Sequence, residues 1–350
     1  MTHIWVRAEE RANEDRVGLT PQGAQALQAA GFAVTVEHSR ARAIGIEGYR
    51  DAGCALALEN SWHDAPGDAI IFGLKELPED DSILSHRHVM FGHAYKGQPA
   101  GKRLLERFRR GGGALYDLEY LVDETGRRVA AFGYWAGYTG AAVALMCWAA
   151  QRRGQIAGPV HSYPSADTLL SDLQRDLTGI SARPTALIIG ALGRVGTGAS
   201  DLCGAMDMPA TLWDMAETAS GGPFGQVLDH DIFLNCILAR PGTPVFVPAD
   251  TGSAERRLSV IGDIACDPDS DFSPIKVHDR VTTWQEPALR VHRQPPLDVT
   301  AIDNLPSMLP VEASQDFAQQ LLPSLLTLDH LDRGIWRRAH ETYLKHLGAL

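Results

Sequence analysis

Two short apolar runs in the first third of the chain each break on a glycine and then deliver a titratable side chain. Ala69-Ile70-Ile71-Phe72 leads into Gly73-Leu74-Lys75-Glu76, and His88-Val89-Met90-Phe91 leads into Gly92-His93-Ala94-Tyr95-Lys96. Both runs read as strands of a parallel sheet, and open parallel sheets hold ligands beyond the carboxyl ends of their strands. The glycines let a ligand approach the main chain closely. A lysine and a histidine on one such edge can exchange protons with a substrate. Histidine titrates near neutrality unaided, and a lysine loses its proton more readily when buried or beside other cations. Taken singly, Lys75 also suits a solvated loop and His93 a structural hydrogen bond. The repeated layout is what marks the two as a candidate acid–base pair. Glu76 and Glu119 oppose the shift that Lys75 would need. Farther on, a turn at Asp123-Glu124-Thr125-Gly126 presents Arg127 and Arg128 ahead of a strand expected over 129–132. Paired arginines there suit bidentate recognition of a carboxylate, or are plain surface charge.

A second constellation lies near the middle of the chain. Ala186-Leu187-Ile188-Ile189 ends in Gly190-Ala191-Leu192-Gly193-Arg194-Val195-Gly196, and a helix is expected over 197–206. Strand, tight turn and helix start in that order form a cradle for a pyrophosphate. The free N–H groups and positive dipole end of the helix face the ligand there. The next strand, 210–213, closes on Asp214, about twenty residues past the glycines, where an acidic side chain binds a ribose 2′-hydroxyl. Aligned on Gly193 and Gly196, the first glycine of the usual fingerprint falls on Ala191, and Gly190 stands one place early. Arg194, inside the loop, can reach a phosphate or cover the adenine. Met215 and Ala216 follow Asp214, so no adjacent arginine awaits a 2′-phosphate, which favours NAD over NADP. The competing reading is a tight strand-to-helix turn without a ligand.

These residues need elements to hold them. The chain has 350 residues, enough for two domains of ordinary size, and 45% of them are hydrophobic. A formal net charge of −11 argues against a nucleic-acid surface. The start lacks the features of a signal peptide, and the most apolar run, 136–150, is too short to span a bilayer and reads as a buried helix. The 5 cysteines are odd in number and scattered, so neither a disulfide framework nor a metal cluster follows, and the expected compartment is the cytoplasm. A strand at 4–7, a helix at 22–30 with Thr20 as cap and Pro21 at its first position, and a strand at 33–37 open the chain as a β-α-β unit. A helix at 101–110 and a strand at 114–117 follow. Past Asp214, further central strands are expected at 231–236 and 259–263, then helices at 312–322 and 336–347. The last helices have no strand partner of their own and are expected to return to the first domain. The expectation is therefore an α/β protein with two Rossmann-like, doubly wound domains whose parallel sheets flank an interdomain cleft. Residues 1–131 plus 312–350 would form the substrate and catalytic domain, and 132–311 the dinucleotide-binding domain.

The loop Glu9 to Pro21, with Asn13-Glu14-Asp15-Arg16, resembles the opening of the alanine dehydrogenase and transhydrogenase N-terminal superfamily. Gly73-Leu-Lys75-Glu-Leu-Pro78, Phe91-Gly-His93-Ala-Tyr-Lys96-Gly-Gln98, Leu115-Tyr-Asp-Leu-Glu119 and Gly126-Arg-Arg-Val-Ala-Ala-Phe132 are similar to one branch of it. That branch is the NAD-dependent, lysine-forming saccharopine dehydrogenases. Gly190-Ala-Leu-Gly-Arg194, Gly221-Gly-Pro-Phe224 and Ile302-Asp-Asn-Leu-Pro-Ser-Met-Leu-Pro310 match it as well. Departures are Leu238, where the family can carry a tyrosine, and a short loop over 241–248. The resemblance implies NAD-dependent oxidation of saccharopine to an imine, then hydrolysis to lysine and 2-oxoglutarate. It implies Lys75 and His93 as the acid–base pair, and Arg16, Lys75, Gln98, Arg128 and Phe132 as the lining of the substrate site. For NAD it implies Arg127, Gly190, Gly193, Arg194, Gly196, Asp214, Thr218 and the stretch Ile302, Asp303, Asn304 and Leu305. It further implies small-molecule partners only, no nucleic acid, membrane or metal, and a monomer. The alternatives are an alanine dehydrogenase-like enzyme, a related opine-type dehydrogenase using another amino acid, and an NAD-binding regulatory protein without turnover. The intact Lys75 and His93 argue against the last.

Overall fold

The structure, a computed structural model, describes residues 1–268 and 270–350. The chain divides into two compact units, one made of Met1–Ala131 and Pro310–Leu350, the other of Phe132–Leu309. Among the described residues no helix is long and apolar enough to cross a membrane.

The first unit carries six strands, β1 (His3–Val6), β2 (Ala33–Glu37), β3 (Ala55–Ala57), β4 (Ile70–Phe72), β5 (Arg87–Met90) and β6 (Ala114–Asp117). They form one sheet in the order β3-β2-β1-β4-β5-β6 with every pair parallel. Helices α1 (Pro21–Ala29), α2 (Ile46–Asp51) and α3 (Pro99–Gly111) are its connections. Thr20 caps α1 by accepting from Gly23 N at 3.2 Å, with Pro21 at the first position, where its missing N–H is no loss. The strand order reverses between β1 and β4, which puts β4, β5 and β6 side by side on one flank of the switch point.

The second unit runs α4 (Gly133–Arg152), α5 (Ala166–Asp176), β7 (Ala186–Ile189), α6 (Arg194–Ala205), β8 (Ala210–Trp213), α7 (Met215–Thr218), β9 (Ile232–Asn235), β10 (Val260–Asp263), β11 (Leu289–Arg293) and β12 (Pro296–Thr300). Its sheet order is β11-β12-β10-β9-β7-β8. Successive residues of a strand face opposite sides of the sheet, and β7 shows it directly. Ala186 and Ile188 join the core under α4, whereas Leu187 and Ile189 join Phe233, Ile261 and Val299 on the other side. Two covered faces explain why β7, β9 and β10 are apolar nearly throughout. Helices α4 and α6 press main chain to main chain: a methyl at Gly137 would lie 1.8 Å from Val195 O, and one at Gly198 1.9 Å from Tyr134 O.

Helices α8 (Pro310–Leu325) and α9 (Gly334–Leu347) pack in the first unit. Ser314 Oγ accepts from Val17 N at 2.9 Å, and Tyr343 Oη donates to Gly113 O at 3.1 Å.

Several expected elements come out differently. No strand forms over 129–132. The main chain there is taken by a side chain of α8, because Gln320 Oε1 accepts from Ala131 N at 3.1 Å and its Nε2 donates to Ala131 O at 3.3 Å. Helix α6 begins at Arg194 rather than 197, since Gly193 serves as the cap and Thr197 N closes the first turn on Gly193 O at 2.9 Å. Arg194 therefore stands in a helix and not in a loop. The second sheet is not wholly parallel: the hairpin of β11 and β12 is antiparallel and leaves β11 at the edge. Its charged residues and prolines, which suit an edge, hide it from a reading based on apolar runs.

Candidate active site

In the first unit, parallel pairing aligns the carboxyl ends of β4, β5 and β6, and each is followed by a charged or titratable residue. Beyond β4 come Lys75 and Glu76, beyond β5 comes His93, and β6 itself closes on Asp117 with Glu119 two residues on. His93 lies between two carboxylates, Nε2 at 3.9 Å from Glu76 Oε2 and Nδ1 at 3.8 Å from Glu119 Oε2. Lys96 Nζ holds the other oxygen of Glu119 at 3.1 Å. The two carboxylate oxygens that face the imidazole make no hydrogen bond within the described residues, although both are buried. Buried acceptors left open in this way mark a place where a donor is to be received. His93 also sits in the left-handed region at φ 48°, a conformation uncommon outside glycine that histidine tolerates better than most residues.

Partial desolvation of the ring, whose side chain remains 44% exposed, lowers the pKa of His93 below its ordinary value, and the charge of Lys75 lowers it further. Glu76 and Glu119 pull the other way and Lys96 adds to the depression, and the balance leaves the pKa below its ordinary value. The imidazole is thus neutral at pH 7 and able to accept a proton. Lys75 is half-buried and acts electrostatically on both His93 and Glu14. The structure thus brings Lys75 and His93 into one electrostatic neighbourhood.

Arg16 is buried and bidentate to Glu14, with Nε to Oε1 at 2.7 Å and Nη2 to Oε2 at 2.5 Å. Burial raises the Glu14 carboxyl, but the charge and hydrogen bonds of Arg16, with the charge of Lys75, outweigh it and leave the pKa lowered. Arg16 therefore meets a protein carboxylate where the sequence offered it to a substrate. Gln98 stands exposed at the cap of α3 and makes no cap hydrogen bond. Arg127 and Arg128 are exposed on a turn that Asp123 organises, its Oδ1 accepting from Thr125 N at 2.8 Å and Arg127 N at 3.0 Å.

Two supports went unread in the sequence. Asp117 is fully buried and accepts from Gly92 N at 3.3 Å and from Glu119 N at 2.9 Å, so it fastens the turns that carry His93 and Glu119. Burial pushes its carboxyl up to about 7, against those two hydrogen bonds. Its position at the end of the strand beside that of His93 was the available signal. Glu9 and Arg7 are the other support, bonded to the main chain of residues 74 and 75.

The glycine loop lies in the second unit, at the carboxyl end of β7. Gly190 takes φ +89°, and a methyl on Gly196 would come within 2.2 Å of Gly190 O. Gly193 meets nothing closer than 3.4 Å, so its side of the loop is open. Gly190 is therefore the turn glycine, and the tight contact in the loop is that between residues 190 and 196. A concavity of about 910 Å³ opens over this edge, lined by Gly190, Gly193, Asp214, Met215, Thr218 and Leu238 among others. Asp214 is held in place: its carboxylate accepts from Leu192 N at 3.0 Å and Met215 N at 2.9 Å, and Glu217 Oε2 accepts from Asp214 N at 2.8 Å. Thr218 Oγ1 donates to Asp214 O at 2.9 Å. Open glycine backbone, a helix start whose first N–H groups have no intrahelical acceptor, and an oriented carboxylate fit a dinucleotide.

The remaining candidates divide. Ile302 and Leu305 are buried in the hydrophobic core under α4, so only their main chain can meet a ligand. Asn304 Oδ1 accepts from Trp284 Nε1 at 2.7 Å, a structural use, and Asp303 stands exposed. Phe132, half-buried, is the cap residue of α4. Arg194 is exposed at the first position of α6.

The chain has close relatives among known proteins. Residues 5–139 match the family described as alanine dehydrogenase/PNT, N-terminal domain. A Neurospora crassa protein named saccharopine dehydrogenase [NAD(+), L-lysine-forming] is 44% identical over 362 residues, covering 100% of this chain and 97% of the relative. A Yarrowia lipolytica protein of the same name is 43% identical over 358 residues, covering 98% and 97%. Among solved structures, an L-alanine dehydrogenase superposes with a TM-score of 0.69 at 19% identity, covering 99% of this chain and 94% of the other, a likeness of fold.

Proposed function

From the premise that this chain belongs to the NAD-dependent, lysine-forming saccharopine dehydrogenases, we propose that it oxidises saccharopine and releases lysine and 2-oxoglutarate, by a reversible reaction. The observation that carries this reading is the pairing of Lys75 with a neutral His93 at adjacent strand ends, flanked by the open carboxylate oxygens of Glu76 and Glu119.

The second unit takes the dinucleotide, with Gly190, Gly193, Arg194, Gly196, Asp214, Thr218 and the main chain of 302–305. When bound, NAD supplies the hydride acceptor. The first unit carries the proton chemistry. The secondary amine of saccharopine must shed a proton before its nitrogen lone pair can drive hydride off the neighbouring carbon. One member of the Lys75–His93 pair receives that proton. Hydrolysis of the imine then requires that an attacking water lose a proton and that the departing amine gain one. The pair can do both in turn, the group that removes the proton from water returning it to the amine. His93 is the acceptor standing ready at pH 7, and Lys75 is the second proton carrier. Glu76 and Glu119 offer acceptors to the ammonium groups of the substrate. Arg128 and Gln98 form the carboxylate-facing side, with Arg16 held behind it by Glu14. The protein is read as a monomer of the cytoplasm. Its 5 cysteines are all free and 4 of them buried, in keeping with a reducing compartment.

The test is NADH consumption with lysine plus 2-oxoglutarate, run beside ammonia plus pyruvate and beside other amino acids plus 2-oxoglutarate. Turnover is expected with the first pair alone. Faster turnover with ammonia and pyruvate would make the chain an alanine dehydrogenase, and faster turnover with another amino acid would move the substrate.

A further inference from the structure

On the side of the first sheet facing β1, the ladder beside β4 stops at Phe72, whose carbonyl accepts from Arg7 N at 2.9 Å. The chain after Arg7 turns away, and Ala8 N donates instead to Glu37 Oε2 at 2.8 Å. The three main-chain groups that follow on β4, Leu74 N, Lys75 N and Lys75 O, have no strand beside them on that flank. They are met by side chains. Glu9 Oε1 accepts from Leu74 N at 2.6 Å and Glu9 Oε2 accepts from Lys75 N at 2.9 Å. Arg7 Nη2 donates to Lys75 O. Arg7 and Glu9 are themselves paired, Nη1 to Oε2 at 3.4 Å, with side-chain exposures of 1% and 8%. On the opposite flank the β5 side continues the ladder, with Gly73 N to Val89 O at 3.1 Å and Phe91 N to Leu74 O at 2.8 Å. The segment 73–75 is thus gripped on both sides, by main chain toward β5 and by a buried ion pair toward β1.

A buried ion pair is poor value as a source of stability, because desolvating both charges offsets most of their attraction. What this one does supply is geometry. A carboxylate accepts two adjacent N–H groups at once and a guanidinium takes the next carbonyl, which fixes both peptide planes around Lys75. Gly73 belongs to the same arrangement: a methyl there would fall 2.4 Å from Arg7 Nε, so the guanidinium fills the place of a side chain.

We infer that the buried Arg7–Glu9 pair is a positioning device for Lys75, holding the main chain of that residue so that its side chain is aimed at the substrate. The inference rests on the role proposed above for Lys75.

The experiment compares Glu9→Gln in the parent and in a Lys75→Met background. Glutamine keeps the shape but presents one acceptor and one NH₂ group to two N–H donors, and it no longer attracts Arg7. Misplacement of a reacting group by about 1 Å can reduce turnover on the order of 100-fold. E9Q should therefore lower kcat by about 10- to 100-fold, with NADH affinity, read by fluorescence titration, changed less than about twofold. In the K75M background the same change should alter kcat less than about twofold, since nothing remains for the clamp to aim. Near-parental kcat in a folded E9Q would overturn the clamp, as would an equal loss in both backgrounds. If K75M itself turned over like the parent, the reading of Lys75 would fail first, a result separable from the other two. Gly73→Ala displaces Arg7 from the other side and is read the same way should E9Q not fold. Loss of cooperative thermal unfolding in both variants would make the pair a folding element and overturn the positioning role.

Discussion

The two units build their working edges from opposite materials, although each is a twisted sheet whose strands run mostly parallel toward that edge. Beyond β4, β5 and β6 the first unit gathers Lys75, Glu76, His93, Lys96, Asp117 and Glu119, with Arg7, Glu9, Glu14 and Arg16 behind them. Beyond β7 the second unit offers Gly190, Ala191, Leu192 and Gly193, and the carboxylate beside them, Asp214, is tied down by main-chain N–H groups. The contrast follows from what each edge must hold. Proton transfer needs side chains whose ionisation is set by neighbours, and each neighbour must come from another strand or loop. A pyrophosphate needs close main chain and helix N–H groups, which a few consecutive residues can supply.

The contrast breaks most sharply at the proton carriers. Lys75→Met and His93→Met should each lower kcat by about 10²–10⁴-fold, the range of a single general acid–base group. Both should lower turnover more than they weaken NADH binding, because neither residue belongs to the nucleotide motif. The pH profile adds a sign. His93 titrates below its usual value, so as pH falls the parent should lose turnover only below about 6.5, once the imidazole is protonated. H93M should lack that acid limb. Near-parental turnover and an unchanged profile in both variants would place the chemistry elsewhere, with Lys96 and Glu119 next in line.

The converse experiment belongs to the second unit. Gly196→Ala places a methyl 2.2 Å from Gly190 O and 2.5 Å from Ala191 Cα, both main chain, so the loop itself must move. Overpacking of this kind costs about 1–3 kcal/mol. NADH should bind about 10- to 100-fold more weakly, while kcat at saturating NADH stays within a few-fold of the parent. An unchanged Kd in G196A would show that the loop does not close on the dinucleotide.

Legibility differed between the edges for the same reason as their chemistry. The glycine loop could be read because its strand, turn, helix and Asp214 follow one another within thirty or so residues, and each has a local rule. The sequence showed the turn glycine displaced by one place, to Gly190, and the positive φ there is the conformation such a turn needs. On the charged edge, Lys75 and His93 stood out by repeating one layout. Their supports did not. Glu9 meets Leu74 and Lys75 from about 65 positions away, and Asp117 meets Gly92 from 25. No local pattern announces such a partner, because it is fixed by which strands lie side by side. Arg16 shows the same gap in reverse: a free-looking cation in the sequence is bidentate to Glu14 once the loop has folded. The hairpin of β11 and β12 was missed because its proline and charged residues obscure the alternation of a strand.

The smallest expected effect concerns Asp214, the carboxylate beside the glycine loop. Its carboxylate points to two roles. Toward the protein it caps α7 and holds Leu192 N, and toward a ligand its negative charge suits a ribose 2′-hydroxyl and repels a 2′-phosphate. Asp214→Ala would confound the two, since loss of a cap alone costs about 1 kcal/mol. Asp214→Ser separates them: the hydroxyl still caps the helix, but the charge is gone. The parent should prefer NADH to NADPH by a wide margin in kcat/KM. In D214S that ratio should narrow by about tenfold, the equivalent of about 1.4 kcal/mol, chiefly through weaker use of NADH, while the melting temperature stays close to that of the parent. The two cofactors are compared at one lysine and 2-oxoglutarate concentration, so that only the nucleotide end of the ternary complex varies. Equal use of NADPH and NADH by the parent would remove the discriminating role from Asp214. A ratio unmoved in D214S would leave the carboxylate as a helix cap and loop anchor, and cofactor choice would then rest on other groups of that edge.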